Sequence, residues 1–596
     1  MPKVRQHTIS SLAAAMVRAV GKTPQNGTLY EVPLPLSLPA LGGVAGGMLE
    51  SVAIKTSPHS RQNHAKHDTP FGMNSAPATR RIAQASGIVM ASVLASRLLG
   101  FLRDWAVAHQ IGANASTDTY YSAFTLPDFL NYLVAGGSLS ITFIPVFSKF
   151  AAEKREEEGW HVFSTVVTSM GLLLAALILV GEICAPRLVE LIAPGFGVRE
   201  KARVVFLTRL MLPAQFCFYQ GSILSAVQYA KGQFVVPSLA PVVYNLGVIL
   251  GGVLLSPRIG ITGFAVGVLA GSLAGNFLLQ VYGAARAGAR FSPNLDLRHP
   301  GFWLFIKLTI PIMLALSLVF TDDWIIRWFG SYLVNGSISW LNYAKTLMRV
   351  PLGVVGQAVG VASFPFLAQL YSEGKLEELN RTLSATLKGL ILLLMPISAL
   401  TVAQAAPLVH LVYSHTRMKA GDLQATGATL AVFSLGMFAW GAQNILARGF
   451  YAARDTLTPA IVGTALTFLN LPAYWWLVRR YQHLGLALAS SIGIVVYTLL
   501  MFGLLDRRTK NPESAALVWF FFKVTAASVM AAGVCFKLTQ LLHARIGWQT
   551  PLRALTVLII VSSVGFVVTG GLAKIFGVRE LDPYLGKLPL QVVRRQ

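Results

Sequence analysis

From about residue 85 to about residue 577 the chain repeats one pattern, apolar stretches of some twenty residues divided by short polar breaks. Twenty helical residues cover the ~30 Å of hydrocarbon in a bilayer, so the pattern predicts a bundle of membrane-spanning α-helices. Barrel strands would instead alternate over ~10 residues, and a backbone in lipid has no third way to satisfy its hydrogen bonds. The predicted spans are 85–108, 118–148, 161–183, 203–229, 234–255, 260–284, 302–327, 338–370, 382–403, 424–452, 457–478, 483–505, 516–541 and 550–576. The expected fold class is therefore an all-α polytopic membrane protein of about fourteen transmembrane helices.

The chain also resembles itself at a spacing of about 220 residues. Ile144-Pro145-Val146-Phe147 returns as Phe364-Pro365-Phe366-Leu367, and each is followed by a short charged loop, Glu153-Lys154-Arg155-Glu156 and Glu373-Gly374-Lys375-Leu376-Glu377. Ala185-Pro186 answers to Ala406-Pro407, Ile223-Leu224 to Ile445-Leu446, Pro237 to Pro459 and Gly263 to Gly485. A repeat of six spans, an even number, enters the membrane in the same direction twice, which predicts two six-helix lobes related by a parallel pseudo-two-fold axis around a central cavity. The expected divisions are a cytoplasmic extension over 1–84, an N-lobe over 85–290, a C-lobe over 291–510, and two further helices with a cytoplasmic tail over 511–596.

Composition sharpens this picture in three places. Hydrophobic residues make up 54% of the chain and charged residues only 12%, half the share of a soluble domain. The formal charge of +24 follows from loop Lys and Arg that orient a membrane protein, not from nucleic-acid binding; their concentration on the N-terminal side predicts that both termini are cytoplasmic. Cys184, Cys217 and Cys535 lie far apart in apolar segments and read as core residues. In the extension, His59, His64 and His67 beside Asp68 read as part of an unstructured tail, and Met73 is a natural start just ahead of the first span.

No phosphate loop, dinucleotide fingerprint, zinc motif or nucleophile elbow sits in a suitable context, so an enzyme or an ATP-driven pump is not expected. The informative residues are charges inside spans, which cost at least ~2.5–3.5 kcal/mol unless they face a partner or a wet cavity. The first span carries Arg97, Arg103 and Asp104, with Arg97 and Asp104 on nearly one helix face and a positive remainder after pairing. Asp118 opens the second span, as an ion-pair partner or as a cap of its own helix. Within that span Pro127 and the pair Gly136-Gly137 predict a gating break, matched in the eighth span by Pro351, Gly353, Gly356 and Gly360. Lys345 and Arg349 share a face of the eighth span, with Asp322 and Asp323 of the seventh as candidate partners. A cationic lining of this kind fits an anionic, phosphate-bearing substrate.

At these residues the sequence resembles the MviN/MurJ family, lipid II flippases of the multidrug/oligosaccharidyl-lipid/polysaccharide exporter superfamily. The resemblance covers about residues 85 to 577 and is carried by Ser96-Arg97-x-x-Gly100-Phe101-x-Arg103-Asp104, Thr117-Asp118, Leu126-Pro127, Ala193-Pro194-Gly195-Phe196, Gly336-Ser337-Ile338-Ser339-Trp340 and Gly449-Phe450-Tyr451. It implies functional roles for Arg97, Arg103, Asp104, Asp118 and Ser339, and an inward-to-outward switch driven by membrane potential or a monovalent cation. The sequence departs from the family at Asn131 and Tyr132, where two basic residues are usual, at Gly136, where an acid is usual, and at Lys345-Thr346 and Arg349.

The resulting expectation is a flippase that moves undecaprenyl-pyrophosphate-linked lipid II by alternating access. Arg97, Arg103, Lys345 and Arg349 would hold the pyrophosphate, and Asp104, Asp118, Ser339, Gly136 and Gly137 would serve gating and ion pairing. Neither cofactor nor metal is expected, and the partners are lipid II and membrane lipids around a monomer. The alternatives are a flippase for another undecaprenyl-linked saccharide, an exopolysaccharide or O-antigen unit, and a non-transporting membrane scaffold.

Overall fold

The computed structural model describes residues 78–131, 138–317, 321–453 and 455–581, and every regular element among them is helical. The His59, His64 and His67 cluster, Met73 and the Gly136-Gly137 pair lie outside the described residues. The first helix, Ala78–Gln110, fills the first predicted span, and the second predicted span holds Ala115–Ala123, Thr125–Leu130 and Ser138–Ala152, the first two separated at Phe124. Asn114 caps the first of these pieces, its side-chain oxygen accepting from the amides of Ser116 at 2.9 Å and Thr117 at 3.3 Å. Asp118, placed by sequence where it could cap this helix, therefore does not have that role.

The internal repeat is visible in the elements themselves. Glu156–Ile192 and Leu376–Ala403, Ala214–Ala230 and Met437–Ala452, and Val235–Ile259 and Leu457–Leu469 begin about 220 residues apart. The two copies break differently: the helix of the first runs through Pro186, whereas its counterpart stops at Gln404 and restarts as Ala405–Tyr413. Among the described residues, eight helices are long and apolar enough to cross a bilayer. A ninth arises if Ala420–Leu435 and Met437–Ala452, bent by 42°, are one span. The fourteen predicted spans are thus not each one continuous apolar helix: 457–478 is interrupted at Asn470 before Leu471–Thr509 begins, and Gln482, at φ +52°, breaks that helix between the predicted spans 457–478 and 483–505.

Packing explains the cohesion of the bundle. Thr262–Gly271 lies against Val235–Ile259 along glycine stripes, so close that a Cβ on Gly251 would stand 2.5 Å from the Gly267 Cα. Small residues permit this approach where lipid supplies no hydrophobic drive between helices. Pro300–Ser317, the first helix of the segment 291–510, buries Phe302 and Phe305 among Phe143, Phe147, Trp160 and Phe163 of the first copy. Thr321–Gly330, the next helix, packs instead on Leu471–Thr509, with Phe329 stacked on Tyr474 at 6.0 Å. The last two helices, Ser514–Arg545 and Pro551–Ile575, attach along the second copy, where Gln404 Nε2 donates to Ser562 Oγ at 3.2 Å.

At one end of the bundle the two copies are tied together. Trp105 Nε1 donates to the Val412 carbonyl at 2.9 Å, the Arg417 amide to the Ala108 carbonyl at 3.2 Å, the Tyr343 hydroxyl to the Gly112 carbonyl at 3.1 Å, and the Gly195 amide to Ser331 Oγ at 3.0 Å. The largest apolar cluster, including Val107, Tyr120, Tyr343, Tyr413 and Phe433, lies beneath these contacts.

Candidate functional site

Below the closed end lies a chamber of about 270 Å³ lined by residues of both copies. Arg103, Asp104, Asp128, Asp323, Arg327, Lys345 and Arg349 supply its charge, and Tyr120, Tyr121, Tyr244 and Asn342 further polar groups. The Tyr120 hydroxyl and Asn342 Nδ2 are buried without a protein hydrogen-bond partner among the described residues.

The first helix delivers Arg103 and Asp104. Arg103 donates from Nε at 3.1 Å and Nη2 at 3.0 Å to a single oxygen of Asp104, whose other oxygen accepts from Thr346 Oγ1 at 2.9 Å. Arg97, two helical turns earlier, lies outside the lining and is exposed. Its Nη1 stands over Gly353, where a Cβ would come within 2.8 Å of it. Arg97 and Asp104 thus both face Ser337–Ser372, meeting it at positions seven residues apart as two antiparallel helices require.

Asp118 is 2% exposed and makes its contacts with another helix. Its Oδ2 accepts from the Gly336 amide at 2.6 Å, and its Oδ1 from the Ser339 amide at 2.8 Å and the Ser339 hydroxyl at 2.6 Å. The carboxylate therefore caps Ser337–Ser372 from outside, satisfying amides that no residue of that helix reaches. Gly336 enters with φ +100°, a conformation open to glycine, which aims its amide at the acid. Among the described residues Asp118 acts as a hydrogen-bond acceptor for a helix end rather than through an ion pair.

Lys345 and Arg349 project into the chamber from Ser337–Ser372. Lys345 Nζ lies 3.0 Å from Asp322 and 2.6 Å from Asp323, and Arg349 Nη2 lies 3.8 Å from Asp323. Asp322 is held from behind by the Tyr474 hydroxyl at 2.6 Å and by Ser490 Oγ at 3.1 Å. The four lining cations thus face Asp104, Asp128 and Asp323, with Asp322 behind Lys345, so the lining keeps an excess of cations while its charges are engaged in ion pairs. Three of the four residues expected to hold substrate, Arg103, Lys345 and Arg349, meet there, and Arg97 does not.

Sequence reasoning passed over Asp128 and Arg327. Arg327 Nη1 donates to Thr125 Oγ1 and to Asp128 Oδ2, and Nη2 to the same oxygen, all at 3.2 Å. Both residues are charges inside predicted spans, the signal that singled out Arg103, but 199 residues separate them and no periodicity could join them.

The sequence pattern of the family described as lipid II flippase MurJ matches residues 107–570. The match begins three residues after Asp104, so the first-helix motif falls outside it. A probable lipid II flippase MurJ of Vibrio cholerae is 26% identical over 491 residues, covering 80% of this chain and 93% of its own. The lipid II flippase MurJ of Burkholderia cenocepacia is 27% identical over 449 residues, covering 74% and 87%. Among solved structures, a lipid II flippase MurJ in an inward closed conformation superposes with a TM-score of 0.67 at 22% identity, covering 82% of this chain and 98% of that one. An inward-facing multidrug resistance transporter of the MATE family in the MOP superfamily gives 0.59 at 12% identity, covering 71% and 95%. With most of its length matched by the family pattern, and its helical repeat on the same fold, this chain is a member of the MurJ lipid II flippase family.

Proposed function

We propose that the chain moves lipid II across the bacterial inner membrane by alternating access, with both termini in the cytoplasm. The observation that carries the reading is the placement of Arg103, Arg327, Lys345 and Arg349 around one chamber between the repeats, beside contacts that tie the copies together at one end. Guanidinium forks match phosphate oxygens, and a low-dielectric surround strengthens the match. Asp104, Asp128 and Asp323 hold these cations in place while no substrate is bound. A saccharide-diphosphate headgroup exceeds 270 Å³, so its entry parts the Asp128–Arg327 pair that crosses the chamber.

In this reading the segments 85–290 and 291–510 rock about the chamber, Arg97 guides the headgroup on its approach, and the Asp118 cap on Ser337–Ser372 holds the far side shut. Membrane potential or a monovalent cation drives the return. The test is to deplete a cell of its own lipid II flippase and supply this chain from Met73, following lipid II translocation directly. Restored translocation supports the reading; failure in cells that accumulate the protein in the membrane rejects it.

A further inference from the structure

We infer that the Asp128–Arg327 pair is a latch between the two copies of the repeat which the phosphate of the substrate opens by taking Arg327 away from Asp128. The inference rests on the lipid-diphosphate reading above and assigns its first contact to residues outside the expected set.

Asp128 belongs to Thr125–Leu130 of the first copy and Arg327 to Thr321–Gly330 of the second, so their ion pair spans the chamber that both line. Its geometry is that of a replaceable contact. Both terminal nitrogens of Arg327 share one carboxylate oxygen at 3.2 Å instead of making two parallel bonds to two oxygens. A phosphate can offer the parallel arrangement, which is shorter and stronger. The Asp128 side chain is 32% exposed and that of Arg327 16%, so an incoming anion can reach the guanidinium.

The other lining cations pair within their own copy, Arg349 with Asp323 at 3.8 Å. Lys345 is clasped by two carboxylates, one of them braced by Tyr474 and Ser490, and Arg103 is paired with its own chain neighbour. Displacing either would leave the contact between the copies largely unchanged. Displacing Asp128 from Arg327 removes an ion pair between the copies and leaves a carboxylate beside a bound phosphate. Like charges at such a distance repel, which favours separation of Thr125–Leu130 from Thr321–Gly330. Substrate binding and release of the lobes are then one event.

The test uses the purified full chain in detergent, with undecaprenyl diphosphate and lipid II as probes and native mass spectrometry for binding. Arg327→Gln is expected to weaken binding of both probes about tenfold or more, since the charge-assisted fork is lost. Asp128→Asn removes the competitor and is expected to strengthen binding about threefold to tenfold while lowering the melting temperature of the ligand-free protein. A pair that merely staples helices would lower the melting temperature in both variants without tighter binding by Asp128→Asn, and that result overturns the latch. If Arg327→Gln does not accumulate, Arg327→Lys serves instead, because an ammonium lacks the fork; binding equal to that of the unmodified chain overturns the latch. Failure of the unmodified chain to bind either probe rejects the lipid-diphosphate reading itself, and the latch with it.

Discussion

Asp118 and Ser339 are 221 residues apart in the chain, and the Asp118 carboxylate accepts both the amide and the hydroxyl of Ser339. Together with the Gly336 amide, these bonds fasten the start of Ser337–Ser372 to the helix that follows Asn114.

This cap yields a graded prediction. Asp118→Ala strands two amides and a hydroxyl in a buried site and should cost about 2–4 kcal/mol, whereas Ser339→Ala removes one of the three bonds and should cost about 1 kcal/mol. Asp118→Asn should fall between them, since an amide oxygen still accepts but without charge. Melting temperatures of the purified variants check the order, and a Ser339→Ala loss as large as that of Asp118→Ala would refute the cap.

Lys345 carries the second prediction. Lys345→Met leaves Asp322 and Asp323 without their shared cation and should destabilise the protein by about 1–3 kcal/mol. This is less than for a fully buried pair, because the two Asp side chains remain 37% and 41% exposed. Adding Asp323→Asn to Lys345→Met should recover part of the loss. A double-mutant cycle in thermal or denaturant unfolding measures the coupling, and a coupling of zero would mean that the contacts contribute nothing.

Gly353 separates stability from transport. Gly353→Ala puts a methyl group 2.8 Å from Arg97 Nη1, the far end of a flexible side chain, so the guanidinium moves and the backbone does not. Alanine in place of a helical glycine gains up to about 1 kcal/mol. The variant should melt no lower than the unmodified protein, yet translocate lipid II more slowly; full transport would show that the position of Arg97 is immaterial.

Gly112 tests the closed end. It has φ +87°, and a Cβ there would stand 2.7 Å from the Arg417 carbonyl oxygen, a backbone atom with little freedom to yield. Gly112→Ala should cost about 1–3 kcal/mol and loosen the tie between the Arg417 amide and the Ala108 carbonyl. Cysteines introduced at Ser339 should then label faster with a membrane-impermeant thiol reagent applied from the sealed side.

Much of the fold was legible in the chain because membrane insertion is governed by local chemistry. The runs of apolar residues and the return of Ile144-Pro145 as Phe364-Pro365 each follow from a short stretch of sequence, whereas the helix break at Asn470, inside the predicted span 457–478, was not read from it. The pairing of Lys345 with Asp322 and Asp323 was within reach for the same reason, since the residues lie on consecutive predicted spans.

The candidate site was legible only in part. Charges inside spans marked Arg103, Asp104, Lys345 and Arg349, but neither their balance against the acids nor the position of Arg97 outside the chamber could be read from one-dimensional order. Asp128 and Arg327 each carried the signal, yet their meaning appears only when the second and seventh predicted spans come together.

The sequence by itself determined that the backbone is helical, that it lies in lipid and that it is built twice, because hydrogen-bond satisfaction and apolar burial in a bilayer act over some twenty residues at a time. Only the tertiary structure decided that Asp128 meets Arg327, which helix Asp118 caps and where the two copies are tied together. Those outcomes depend on contacts between helices about two hundred residues apart, whose rotation and depth are set by side-chain packing across the whole bundle.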